Sequence, residues 1–380
     1  MIRENDIAMN ETADDASLIL DVRDLSVDYV TTGKLPAHAL EKVSFQLRKG
    51  EMLGVVGESG CGKTTLMLSL MRLLPAAGRI VNGHIDFLGQ DLLSLSEKEM
   101  ADVRWKNIAM IFQGAMNALN PVRTVGSQIA EPIARHKMNT ISGLLPLNSK
   151  AGHGTTNGNG KTFNPTRTVG SQIAETIRQH EDVSDKAVLQ RRVDELLNLV
   201  GINPNRRDQY PHQYSGGMRQ RAMIAMALAC FPEVIIADEP TTALDVMVQA
   251  QILELLSSLR EQLGLSVLFV THDLGVIAEV CDAVLVMYGG VVAEYSDVDT
   301  IYNNPRHPYT QELLRAFPDV AQPNRKLLSI PGYPPRLDAL PAGCRFAPRC
   351  PCAFARCHTA QPPVYQLNGF HEASCFLVER

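Results

Sequence analysis

The sequence predicts an α/β fold with a parallel sheet, on three observations. Apolar runs of strand length (MLGVV, VIIAD, SVLFV and AVLVMY) alternate with longer segments of helical character. The runs are apolar throughout, as strands covered by helices on both faces require. The first opens directly into a glycine-rich loop, and the second ends in two adjacent carboxylates.

The elements follow in order. Residues 18 to 29 (LILDVRDLSVDY) alternate apolar and polar side chains, which predicts a half-buried strand. A strand ending at Val56 leads into the loop, and LMLSLMRLL after Thr65 reads as a buried helix stopped by Pro75. GHIDFLG and NIAMIF read as strands. Helical segments are expected at Val188 to Val200, Gly216 to Cys230 and Val246 to Leu263.

One region breaks this rhythm. NPVRTVGSQIAEPIARH begins at Asn120, and NPTRTVGSQIAETIRQH begins at Asn164, 44 residues later. Two such similar stretches indicate a tandem duplication. The Gly-, Asn- and Thr-rich segment between them predicts a flexible loop. Only one copy can fill a single structural slot; the other is expected to loop out as a neutral insertion. After about residue 305 prolines become frequent and periodicity fades, which predicts a small irregular C-terminal extension. The expected organisation is a polar tail (1–17), a main domain (18–304) carrying the duplicated insertion at about 120–181, and an extension (305–380).

Composition narrows the function classes. The chain has 380 residues, 45% hydrophobic and 20% charged, with a net charge of -5. That balance is globular, and it lacks the basic surplus of a nucleic-acid binder. No apolar run approaches the roughly 20 residues needed to span a bilayer. The N-terminus is polar and acidic, so no secretory signal is expected and the chain should stay in the cytoplasm.

Gly57 to Thr64 (GESGCGKT) fits G-x-x-x-x-G-K-[ST], between a strand and a helix. Glycine lets successive backbone N–H groups curl around phosphate oxygens, and the following helix points its positive end at the anion. The loop formed by Gly57, Glu58, Ser59, Gly60, Cys61, Gly62, Lys63, Thr64 and Thr65 is therefore the expected nucleotide cradle. Lys63 reaches the β- and γ-phosphates, and the Thr64 hydroxyl is a Mg²⁺ ligand. Cys61 sits near a helix N-terminus, which lowers a thiol pKa; a small filler is the plainer role. Asp238 is expected to hold Mg²⁺, directly or through water, and Glu239 to orient or deprotonate the attacking water.

YSGGMRQR (Tyr214 to Arg221) resembles the signature sequence of ABC ATPases. In the order usual for that family, Ala243-Leu244-Asp245 resembles the D-loop, Gln113 the Q-loop glutamine and His272 the switch histidine, while Tyr29 stands where an aromatic stacks on adenine. The resemblance covers about residues 18 to 300 apart from the insertion. It implies an ABC-type nucleotide-binding domain with an antiparallel β subdomain and a helical subdomain. It further implies ATP hydrolysis with Glu239, His272 and Gln113 as catalytic residues, Mg²⁺ on Thr64, Gln113 and Asp238, and a second ATP-binding subunit, copy or paralogue. Ser215, Gly216 and Gly217 of one subunit would cap the ATP held by the other. A soluble ABC ATPase acting on DNA or ribosomes is the alternative; the single P-loop and the lack of a long heptad run argue against it.

NPRHPYTQELLRAFP and the proline-rich segment ending GCRFAPRCP resemble the C-terminal ending of oligopeptide and dipeptide importer ATPases, which nickel importers share. This implies import of peptides through two transmembrane permease subunits fed by a substrate-binding protein, with the chain peripheral on the cytoplasmic face of the inner membrane. Cys344, Cys350, Cys357 and Cys375 match the cysteines of that ending. Their spacing is neither the C-x2-C of structural zinc nor the bacterial ferredoxin run. Four thiolates can hold a [4Fe–4S] cluster or Zn²⁺, and the resemblance favours the cluster. Cys352 departs from the pattern as a possible competing ligand, and unligated thiols are the remaining alternative.

Overall fold

The computed structural model describes residues 18–33, 35–112, 119–120, 123–135, 186–242, 244–316 and 329–379. Two sheets organise them. The smaller is antiparallel, in the order β2-β1-β4-β5, formed by β1 (Leu18–Tyr29), β2 (Ala37–Arg48), β4 (Gly78–Phe87) and β5 (Gln90–Asp91). The larger has eight strands and a parallel centre in the order β9-β3-β8-β7-β6. These are β3 (Met52–Val56), β6 (Ile108–Ile111), β7 (Val234–Asp238), β8 (Ser266–Val270) and β9 (Ala283–Tyr288).

The apolar runs are strands because each divides its side chains between two cores. On β3, Met52 and Val56 enter one core and Leu53 and Val55 the other. On β8, Val267 and Phe269 part from Leu268 and Val270 in the same way. One core packs the antiparallel sheet and α1 (Lys63–Leu70) on the central strands. The other packs the helices α3 (Val125–Arg135), α4 (Lys186–Leu199), α5 (Gly216–Ala227) and α6 (Val246–Leu263). The short helix α2 (Glu97–Lys106) begins at a capping box between Ser96 and Glu99.

The first copy of the duplication contributes to the helix-side core. It forms α3, whose Val125, Ile129 and Ile133 are buried at helical spacing in the helix-side core. The second copy and the segment joining the two lie outside the described residues, as do the 1–17 tail and Gln113.

The C-terminal extension adds strands to the main sheet. Beyond α7 (Leu274–Val280), β10 (Val291–Asp297), α8 (Val298–Asn303) and α9 (Pro308–Ala316), two short strands, β11 (Tyr365–Gln366) and β12 (Glu372–Ala373), continue the main sheet. The reason is a carboxylate. Glu294 on β10 is fully buried and accepts from the Arg306 backbone N–H at 2.6 Å and the His307 N–H at 3.0 Å, while His371 Nε2 stands 2.8 Å from it. A buried carboxylate is tolerated only when its lone pairs are satisfied, and here partners from the extension supply that satisfaction. Glu294→Ala, which leaves these donors unpaired, is expected to lower the unfolding free energy by about 3 kcal/mol; urea denaturation of the purified chain measures it.

Candidate functional site

The site forms where the parallel strands end. In register, Val55 of β3 and Asp238 of β7 both pair with Val270 of β8. The residues just beyond, the 57–64 loop, Glu239 and Thr271-His272, therefore leave the sheet at one edge, as ligand-binding loops of open α/β sheets do.

The loop needs glycine for contact as well as conformation. Gly57 has φ 152°, and a Cβ there would lie 2.2 Å from the Met287 carbonyl oxygen and 2.7 Å from Cys61 Sγ. Gly62, the residue before α1, has φ 106° and would meet the Ala39 carbonyl oxygen at 2.8 Å. Lys63 is buried, and its Nζ donates to the Gly57 carbonyl at 2.6 Å and the Glu58 carbonyl at 3.3 Å. The ammonium thus lies folded over the cradle, held by carbonyls that an arriving phosphate can displace. Burial pushes the Cys61 thiol up despite the nearby Lys63 charge, so it is a packed filler without an activated thiolate. Tyr29 ends β1 with its hydroxyl 3.4 Å from Thr65 Oγ1, which brings the aromatic to the start of α1.

The two carboxylates face different surroundings. Asp238 is buried, and burial together with the adjacent Glu239 raises its pKa, against a hydrogen bond from Thr64 and the charge of Lys63. A hydroxyl and a buried carboxylate held up in this way fit a hard divalent cation, whose charge would restore the ionised form. Burial also pushes Glu239 up, but hydrogen bonds from Thr242 and His272, with the charges of His272 and Lys63, hold it below its ordinary value. Thr242 Oγ1 donates at 2.9 Å, and His272 Nδ1 lies 3.3 Å from the other oxygen. Glu239 itself sits at φ 46°, a strained conformation for a non-glycine residue. The result is an ionised carboxylate beside an exposed imidazole, an arrangement able to orient and deprotonate water. No motif pointed to Thr242; its place three residues after Glu239 is the local signal.

The signature residues are held separately. Ser215 caps α5 by accepting from Met218 N–H at 3.3 Å, leaving the first turn of α5 at the surface. A Cβ on Gly217 would lie 2.6 Å from Val248 of α6, so close helix packing requires glycine there, while Gly216 opens the helix. Asp245 caps α6 by accepting from Val248 N–H at 2.9 Å. Val246 and Met247, next to it, are 82% and 72% exposed. Gln113 and Ala243 lie outside the described residues.

The C-terminal cysteines converge. Cys344, Cys350, Cys352, Cys357 and Cys375 line one pocket together with His307 and Phe346. All are free thiols. Burial first, with like-charged neighbours adding, pushes Cys350 up to about 12 and Cys375 up to about 11. Such thiols stay protonated unless a metal takes the proton's place. Among the described residues no three His, Cys, Asp or Glu side chains stand close enough to hold one metal ion. Neither the [4Fe–4S] cluster nor the zinc alternative therefore has a preassembled site among the described residues. Among the described residues, likewise, no helix is long and apolar enough to cross a membrane.

A parallel-sheet core, a glycine cradle opening into a helix, and an acidic pair at a neighbouring strand end define a P-loop nucleoside triphosphatase, and the Ser215-Gly216-Gly217 segment marks it as the ATP-binding-cassette kind. Comparison with known proteins agrees. The ABC transporter family model matches residues 40–242, and the model for the oligopeptide/dipeptide transporter C-terminal region matches residues 293–357. A probable peptide ABC transporter ATP-binding protein of Sinorhizobium fredii is 43% identical over 365 residues, covering 95% of each chain. The dipeptide transport ATP-binding protein DppD of Escherichia coli is 40% identical over 359 residues, covering 94% of this chain and 96% of its own. The fold resembles the ATP-binding cassette MJ0796, solved as a dimer in a post-hydrolysis state with ADP and Pi, with TM-score 0.54 and 24% identity over 74% of this chain and 99% of that one. The chain belongs to the ABC transporter ATP-binding family and is an ATPase. Gly57→Ala is expected to abolish retention of ATP in equilibrium binding and to lower the thermal midpoint, because the loop must move off the Met287 carbonyl.

Proposed function

We propose that this chain is the ATP-hydrolysing subunit of a peptide importer, acting on two transmembrane permease subunits together with a second ATP-binding subunit and supplied by a substrate-binding protein. The observation that carries the proposal is a complete nucleotide cradle and acidic pair in the same fold as a C-terminal region of the oligopeptide/dipeptide transporter type. The relatives' names supply the cargo class: DppD is named a dipeptide transport ATP-binding protein, and the Sinorhizobium fredii protein a probable peptide ABC transporter ATP-binding protein.

In this mechanism the backbone N–H groups of residues 57 to 65 and the first turn of α1 bind the phosphates of ATP, and Lys63 turns from its loop carbonyls onto them. Tyr29 stacks on the adenine. Thr64, Gln113 and Asp238 would hold Mg²⁺, which would supply positive charge against the phosphates. Glu239 is the general base, kept ionised by Thr242 and His272, and His272 senses the γ-phosphate from the solvent side. Ser215, Gly216 and Gly217 present the N-terminus of α5 to the ATP of the partner subunit, beside Asp245 and the exposed Val246 and Met247. Closure of that dimer on ATP and its release after hydrolysis drive the permeases on the cytoplasmic face of the membrane. In proteoliposomes with permeases, second ATPase and binding protein, peptide should stimulate ATP hydrolysis; Glu239→Gln should cut kcat by about 10²- to 10⁴-fold while ATP binding persists. Stimulation by nickel but not by peptide would reassign the cargo.

Cys344, Cys350, Cys357 and Cys375 are proposed as the ligands of a [4Fe–4S] cluster, because all four line one pocket and they match the cysteines of the importer-type ending. The cluster would tie the loops of the extension together, with Cys352 as a spare thiol. Anaerobically purified protein should contain iron and acid-labile sulfide in equal amounts; zinc alone, or no metal, would remove the assignment.

A further inference from the structure

We infer that Arg349 is a positioning residue for the phosphate loop, so that the C-terminal extension is a working part of the nucleotide site.

Glu58, the second residue of the loop, is held from outside the cradle at two points. Its backbone N–H donates to Tyr309 Oη at 3.0 Å, and its carboxylate receives both terminal nitrogens of Arg349 at 2.5 Å and 3.0 Å. Exposed ion pairs contribute little, but this one is of another kind. The Arg349 side chain is 5% exposed, and its remaining donors are committed: Nε to the Pro331 carbonyl at 2.8 Å, Nη1 also to Tyr288 Oη at 3.1 Å and Nη2 also to the Ile330 carbonyl at 3.2 Å. A guanidinium fixed on every side gives Glu58 one place to sit, and a bidentate pair transmits that placement. The Glu58 carbonyl in turn accepts from Cys61 N–H at 3.2 Å and from Lys63 Nζ at 3.3 Å. A shift of Glu58 therefore shifts the loop backbone and the resting place of the phosphate-binding lysine.

A second arginine of the same segment reinforces the brace. Arg345, 1% exposed, binds the Gly289 carbonyl and the Glu41 carboxylate, and the adjacent Gly290 N–H donates to the Cys61 carbonyl at 2.9 Å. Between the arginines, Phe346 packs on Tyr288 and Tyr309 with ring centroids 5.1 Å and 5.4 Å apart. Cys344-Arg345-Phe346-Ala347-Pro348-Arg349-Cys350 thus meets the phosphate loop on one side and lines the thiol pocket on the other.

The inference rests on ATP binding at this loop. The test is the Kd of a non-hydrolysable Mg-ATP analogue, measured by calorimetry on the full chain below the melting transition of every variant. Arg349→Ala should weaken binding about tenfold, Glu58→Ala by a similar factor, and the double variant no more than either alone; Arg349→Lys, which keeps the charge but not the bidentate fork, should recover part of the loss. A Kd for Arg349→Ala within twofold of the unaltered chain, with only a lowered melting temperature, would show a structural tie and overturn the inference. Effects that multiply in the double variant would overturn it as well. Should Arg349→Ala not fold, Glu58→Ala decides alone on the same criterion. No measurable binding by the unaltered chain would remove the nucleotide site itself, and the inference with it.

Discussion

Parallel pairing of β3 with β8, and of β8 with β7, is the constraint on which the site depends. Because Val55 and Asp238 both lie level with Val270, three segments remote in sequence leave the sheet at the same edge. With every residue of these strands buried, it is the loops beyond their ends that carry side chains toward solvent. The cradle, the acidic pair and His272 are consequences of that register. A slip by one residue would also exchange the two cores, since alternate residues of each strand belong to different ones.

Electrostatics then separates groups of the same chemical type. Asp238 and Glu239 are neighbours, yet one is raised and the other lowered, because Asp238 is desolvated beside a like charge while Glu239 collects Thr242 and His272. Divergent environments around paired carboxylates give them different protonation preferences, on which the proposed division between metal ligand and base rests. The same principle disarms Cys61: desolvation outweighs the neighbouring lysine, and the thiol packs under the loop.

The C-terminal extension is integrated by buried polar groups rather than by a large apolar core. Among the described residues, its own cluster of buried residues is small, with Ala347, Cys357 and Phe376 at its centre. It is anchored by Glu294, by strand pairing at β12, and by the two arginines that flank Phe346. Each anchor finds its partners across the docked arrangement, so the extension and the ATPase core specify one another.

The sequence by itself determined the parallel-sheet class, the phosphate loop, the acidic pair, the signature segment and the presence of the duplication. All of these are written in local order: apolar runs of strand length, glycines at fixed offsets and motif residues at set spacing. What only the tertiary structure decided joins residues far apart. It set His272 against Glu239 across 33 positions, Arg349 against Glu58 across 291, and five thiols around one pocket. Periodicity reports which face of an element is buried, but not which distant partner it meets. That choice belongs to sheet register and to the need of each buried charge for a counterpart, and neither leaves a local trace in the chain.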